Sequence, residues 1–143
     1  MQGFIDKTIK PVLIIGGIGT AAANLNAFFP RFTVENVQKL EFVQDYTIFV
    51  QHWGIMVGVM GIYMVVAAFR ESWRAPVLLY CLIGKTFLVF LVVSNARLSF
   101  AEGFYVPAVM DAFIVLYAIL YFWSLREAQQ SPATPTRRPA TDR

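Results

Sequence analysis

One cysteine, one histidine and a charged fraction of 15% are all that 143 residues offer to most kinds of protein chemistry. With Cys81 alone, an internal disulfide and a thiolate metal cluster within one chain are both excluded. With His52 alone, a single chain supplies neither both axial ligands of a bis-histidine haem nor a complete zinc site. Any cofactor would need other ligand types or a second subunit, and no metal site or catalytic residue is assigned. Nor is there a nucleophile, base and orienter in recognisable array, or an internal repeat of the kind that builds inverted-repeat transporters. The net charge of +3 and pI near 9.2 come from Lys and Arg flanking apolar runs. They do not form a basic face with interleaved aromatics, so nucleic-acid binding gains no support.

What the chain has instead is apolar length. It is 57% hydrophobic with a mean hydropathy of +0.57, too apolar for an ordinary soluble domain of this size. Four runs, each near the ~20 residues that cross a hydrocarbon core, are expected as spans at Lys10–Phe29, Tyr46–Phe69, Pro76–Asn95 and Pro107–Leu125. In lipid these must be helices, because a lone strand would leave its backbone groups unpaired. The expected fold is all-α: an integral membrane four-helix bundle over 1–127, with a disordered basic tail over 128–143 rich in Pro and Thr. The first run is read as a retained span, since Asp6, Lys7 and Lys10 precede a stretch of full span length.

Lys7, Lys10, Arg70, Arg74, Arg126, Arg137, Arg138 and Arg143 fall on one side of this layout, and Arg31, Lys39 and Arg97 on the other. The positive-inside rule then places both termini in the cytoplasm, with a bacterial inner membrane as the expected location. Thr33 is a candidate N-cap in the first outer segment, Pro30–Asp45, which has neither Gly nor Pro beyond its first residue, so helix is expected there outside the lipid. The second outer segment, Ala96–Pro107, sets Phe100, Phe104 and Tyr105 around Gly103; it either anchors at the interface or covers the mouth of the bundle.

Small residues mark packing faces. Gly54, Gly58 and Gly61 form a stripe on the second span, and Gly16, Thr20, Ala23 and Ala27 a comparable one on the first. Stripes of this kind let helix backbones approach closely, so the two are expected to pack on each other; a dimer or partner interface is the alternative.

Ionisable groups inside a span cost ~2.5–3.5 kcal/mol near its centre and are functional candidates by default. Three stand out: His52, Lys85 and Asp111. Lys85 falls near mid-membrane, and Asp111 is the only carboxylate within any span, so the two are expected to form an ion pair between the third and fourth helices. Asn24, Gln51 and Asn95 also fall in the outer halves of their helices, and with Tyr63 complete a candidate ligand-binding polar pocket. His52 shares a helix face with Ile48, Ile55, Met56, Val59 and Tyr63, nearly opposite the glycine stripe.

By hydropathy and topology from Thr8 to Leu125, the chain resembles the small four-helix bacterial inner-membrane proteins of the broad DoxX-like type. That group includes accessory subunits of membrane redox assemblies, so the resemblance implies a scaffolding or quinone-side role. It carries over no functional residue. The expected function is a non-catalytic accessory subunit or a binder of a lipophilic small molecule, acting with membrane lipid, a partner subunit or a second copy. The alternatives are a quinone-interacting oxidoreductase component and a proton-coupled transporter or channel.

Overall fold

The structure, a computed structural model, describes residues 2–130. Helix α1 (Gln2–Ala21) begins well before the expected span start at Lys10. Ile5, Ile9 and Leu13 recur every fourth residue and are buried, while Asp6, Lys7 and Lys10 lie off that stripe and are exposed. A turn at Ala22 and Ala23 breaks the helix, which resumes as the short α2 (Asn24–Phe28) and α3 (Pro30–Phe32), with Pro30 at the N-terminal position where a missing N–H costs nothing.

A single wide helical turn follows at Thr33–Val37. The chain then becomes irregular as far as a 3₁₀ turn at Gln44–Tyr46, so the outer helix expected ahead of the second span is confined to its first half. Lys39 ends it by adopting a left-handed backbone (φ 58°), and its neighbour Leu40 donates N–H to the Val34 carbonyl at 3.0 Å. Thr33 does not cap: its Oγ1 donates back toward the Phe29 and Pro30 carbonyls, both at 3.0 Å.

Helix α4 (Thr47–Phe69) is joined to α5 (Glu71–Ser94) by the one extended residue Arg70. A 3₁₀ turn at Ser99–Phe104 leads into α6 (Tyr105–Gln130), where Pro107 sits in the first turn and forfeits no helical bond. Because α6 continues to Gln130, the first residues assigned to the tail are helical; the rest of that expected tail lies outside the described residues. The four segments Gln2–Phe28, Gln44–Phe69, Glu71–Ser94 and Ser99–Gln130 are long and apolar enough to cross a membrane.

The helices form an antiparallel ring, with α1 packed most closely on α4 and α5 on α6. Gly17 on α1, and Gly54 and Gly61 on α4, make the first of these approaches possible. A Cβ on Gly17 would lie 2.8 Å from the Gly61 carbonyl oxygen, one on Gly54 would lie 2.7 Å from Ala27 N, and one on Gly61 would overlap the Ala21 backbone. The expected packing of the two stripes therefore holds at Ala23 and Ala27 but shifts by one residue further down α1. Gly17 and Ala21 meet the α4 backbone at Gly61, whereas Gly16 lies between the Met64 side chain of α4 and Ile114 of α6, and Thr20 turns to α5. Adjacent residues are about 100° apart around a helix, so Gly17 meets the α4 backbone squarely while Gly16 faces the gap between α4 and α6.

The core occupies the half of the bundle nearer Gln2 and Gln130, the terminus end. Ile5, Ile9 and Leu13 meet Met64, Ala67, Leu78, Cys81, Ile114, Tyr117 and Ala118 there. Outward faces are also apolar: Ile15, Ile48, Phe49, Ile83, Phe87 and Phe113 are among the most exposed side chains. Apolar residues both inside and outside are what a helix bundle surrounded by hydrocarbon requires.

Candidate functional site

Lys85 is placed by a buried stripe on α5 in which Leu78, Cys81 and Lys85 follow at helical spacing. Only 7% of the residue is exposed. Its Nζ donates to Asp111 Oδ1 on α6 and, at 3.0 Å, to Thr20 Oγ1 on α1. Asp111 shares its face with the buried Ala108, Ile114 and Ala118, which turns its carboxylate inward and leaves 13% of the side chain exposed. Measured along the helices, Asp111, Thr20 and Lys85 lie about 9, 12 and 14 Å below the loop end. One ammonium thus ties three helices at one level, directly above the apolar core.

In this arrangement the positive and negative charges cancel, and the hydroxyl supplies a further acceptor. Breaking such a pair by deleting one partner typically costs about 3–5 kcal/mol, because the other charge stays buried. The chemistry suits a lock on helix position.

The other polar candidates are dispersed. His52 is exposed on the outward face of α4, since the glycine stripe nearly opposite takes the side facing α1. Gln51 Nε2 donates to the Ala27 carbonyl at 2.9 Å, and the Asn24 amide fills the space over Gly58, so both join α4 to the first helical segment. Asn95 Nδ2 donates to its own helix at Leu91 O, 2.8 Å away. Tyr63 stacks obliquely on Trp73, ring centroids 5.6 Å apart, near the α4–α5 connection at the terminus end. The structure brings Lys85, Asp111 and Thr20 together; it does not bring His52, Asn24, Gln51, Asn95 or Tyr63 to them.

A different cavity lies at the loop end. A groove of about 450 Å³ runs between the irregular stretch 38–43 and the outward faces of α4 and α5. Val34, Leu40, Val43, Val50 and Leu88 line it together with five aromatic residues, Phe42, Tyr46, Phe49, Trp53 and Phe104. Gln38 and Glu41 are its amide and its carboxylate.

Its wall is held at several points. Gln38 Nε2 donates to Asn26 Oδ1 at 3.1 Å, and buried Asn26 donates in turn to the Ala23 carbonyl at 3.1 Å. Gly103 lies so close under Gln38 that a Cβ would overlap the Gln38 carbonyl oxygen. A side chain is therefore excluded from that position by contact, not by backbone conformation. Tyr105 Oη donates to the Ala96 carbonyl at 2.7 Å and closes the second loop. Spacing along the chain does not reveal the groove, because residues distant in sequence create it; the one local signal is Gly103 set among aromatics.

Among the described residues, no group of three or more His, Cys, Asp or Glu is placed to hold a metal ion. No family model, curated protein or solved structure matches the chain. Site residues here are therefore argued from this chain's own geometry.

Proposed function

We propose that the chain is an integral membrane protein, with both ends at the cytoplasmic face of a bacterial inner membrane, that holds a lipophilic amphiphile without transforming it. The observation that carries this reading is the groove at the loop end, apolar along its length with polar side chains at Gln38 and Glu41. A cavity of this size and lining suits an acyl or isoprenoid chain, since most of a bound ligand's surface is buried against apolar walls. The four apolar segments favour delivery of such a ligand laterally from lipid. The basic residues near the terminus end favour a cytoplasmic position for it. The Lys85–Asp111–Thr20 lock serves this function by holding the helices that carry the groove.

The resemblance to DoxX-like proteins makes a quinone one member of the lipophile class to look for. The test is native mass spectrometry and an absorption spectrum after mild extraction, with Leu88→Trp as a variant that fills the groove. Wild type is expected to retain a stoichiometric amphiphile that the variant loses; identical retention by both would contradict the reading.

A further inference from the structure

The groove has a chemical polarity of its own. It is lined by one carboxylate, Glu41, and by no cationic side chain among the described residues. Glu41 takes part in none of the ion pairs among the described residues, which are Arg31 with Glu35, Arg74 with Glu71, and Lys85 with Asp111. Beside the carboxylate stand the rings of Phe42, Tyr46, Phe49, Trp53 and Phe104. Aromatic faces carry negative quadrupole potential and attract cations, quaternary ammonium groups above all. An anionic headgroup would meet repulsion from Glu41 with no cationic side chain on the lining to offset it.

The surrounding surface points the same way. The loop-end segments carry Glu35, Glu41, Asp45 and Glu102 against Arg31, Lys39 and Arg97, four acids to three bases. The terminus end carries Lys7, Lys10, Arg70, Arg74 and Arg126 against Asp6, Glu71 and Glu127, five bases to three acids. The excess of acids at the groove's end favours a cationic head there. The stretch bearing Glu41 is also held in place before any ligand arrives, by the Gln38–Asn26 hydrogen bond, the Leu40–Val34 backbone bond and the contact with Gly103. A fixed wall lowers the ordering cost of binding.

We infer that the loop-end groove selects amphiphiles whose headgroup is an ammonium, held between the Glu41 carboxylate and the aromatic rings, with the apolar chain running along Val50 and Leu88 toward the bundle. This rests on the amphiphile-binding reading above and assigns the headgroup class within it.

Trp53 lines the groove, whereas the other two tryptophans, Trp73 and Trp123, lie toward the terminus end, so a Trp73→Phe, Trp123→Phe chain reports from the site alone. Reconstituted in uncharged bilayers, it is titrated with three bromine-labelled probes of one chain length, bearing a trimethylammonium, a phosphate or a hydroxyl head. Saturable quenching is expected at the lowest mole fraction for trimethylammonium, with a preference over hydroxyl of about two- to fivefold from the cation–π contribution alone. Glu41→Gln should reduce that preference while leaving saturable quenching by the hydroxyl probe. Equal quenching by all three probes, a preference for phosphate, or a preference unchanged in Glu41→Gln would overturn the headgroup assignment and leave the groove as a site for apolar chains. Absence of saturable quenching by every probe would overturn both readings.

Discussion

The two ends of the bundle are built on different principles. At the terminus end, long aliphatic side chains fill the core below the level at which Gly17 and Ala21 meet Gly61. At the loop end, α1 has broken into short pieces, the connecting chain is irregular, and side-chain amides join the close approach of Ala23 and Ala27 to Gly54 as fastenings. Close-packed backbone leaves no room for a ligand, whereas amide fastenings around irregular chain leave a groove. The Lys85–Asp111–Thr20 lock sits at the boundary between the half that holds the apolar core and the half that carries the groove.

The strongest way to break this contrast is to force the close-packed half apart. Gly61→Leu would drive a side chain into the Ala21 backbone and should abolish recovery of monodisperse protein in detergent by size-exclusion chromatography. Gly84→Ala is the matched control: its new Cβ would have only a Tyr80 ring carbon for company, at 4.0 Å, so no loss of stability is expected.

Asp111→Ala comes next. It leaves the Lys85 ammonium buried, with an expected loss of about 3–5 kcal/mol in reversible denaturant unfolding. The double variant Lys85→Met, Asp111→Leu should recover most of that loss, since no charge is then stranded. Equal losses in the single and double variants would mean that packing volume, not charge, dominates at this level.

Gly103→Val should cost less stability than Gly61→Leu or Asp111→Ala and have a large effect on binding. The added side chain pushes on Gln38 and displaces the groove wall, with an expected stability cost of about 1–2 kcal/mol, of the order seen for strained contacts. Retention of the co-purified amphiphile should fall severalfold. A large stability loss with binding intact would reverse the assigned roles of the two halves.

Much of this architecture is legible in the chain because hydrocarbon imposes a length scale: four apolar runs of span length read directly as four helices. The meeting of Lys85 with Asp111 is legible for a related reason, as few ionisable groups lie within the runs and unpaired burial is costly. Thr20 is not legible as the third member, because a threonine on a stripe of small residues reads equally well as packing. The rotation that sets Gly17 squarely against the α4 backbone, with Gly16 meeting only the Met64 side chain there, is hidden by their adjacency. His52, the most conspicuous residue in the sequence, faces outward. The groove is the least legible feature, since it depends on Gln38 reaching Asn26 and on Gly103 passing beneath Gln38, contacts that no local spacing encodes.

Division of labour between the two halves is tested most directly by hydrogen exchange on the protein in nanodiscs, with and without its extracted native lipids. Lipid addition should slow exchange at backbone amides of residues 38–46 and leave those of Ile5–Gly17 and Met64–Ala68 unchanged. Protection gained mainly in the close-packed half, or nowhere, would contradict the account.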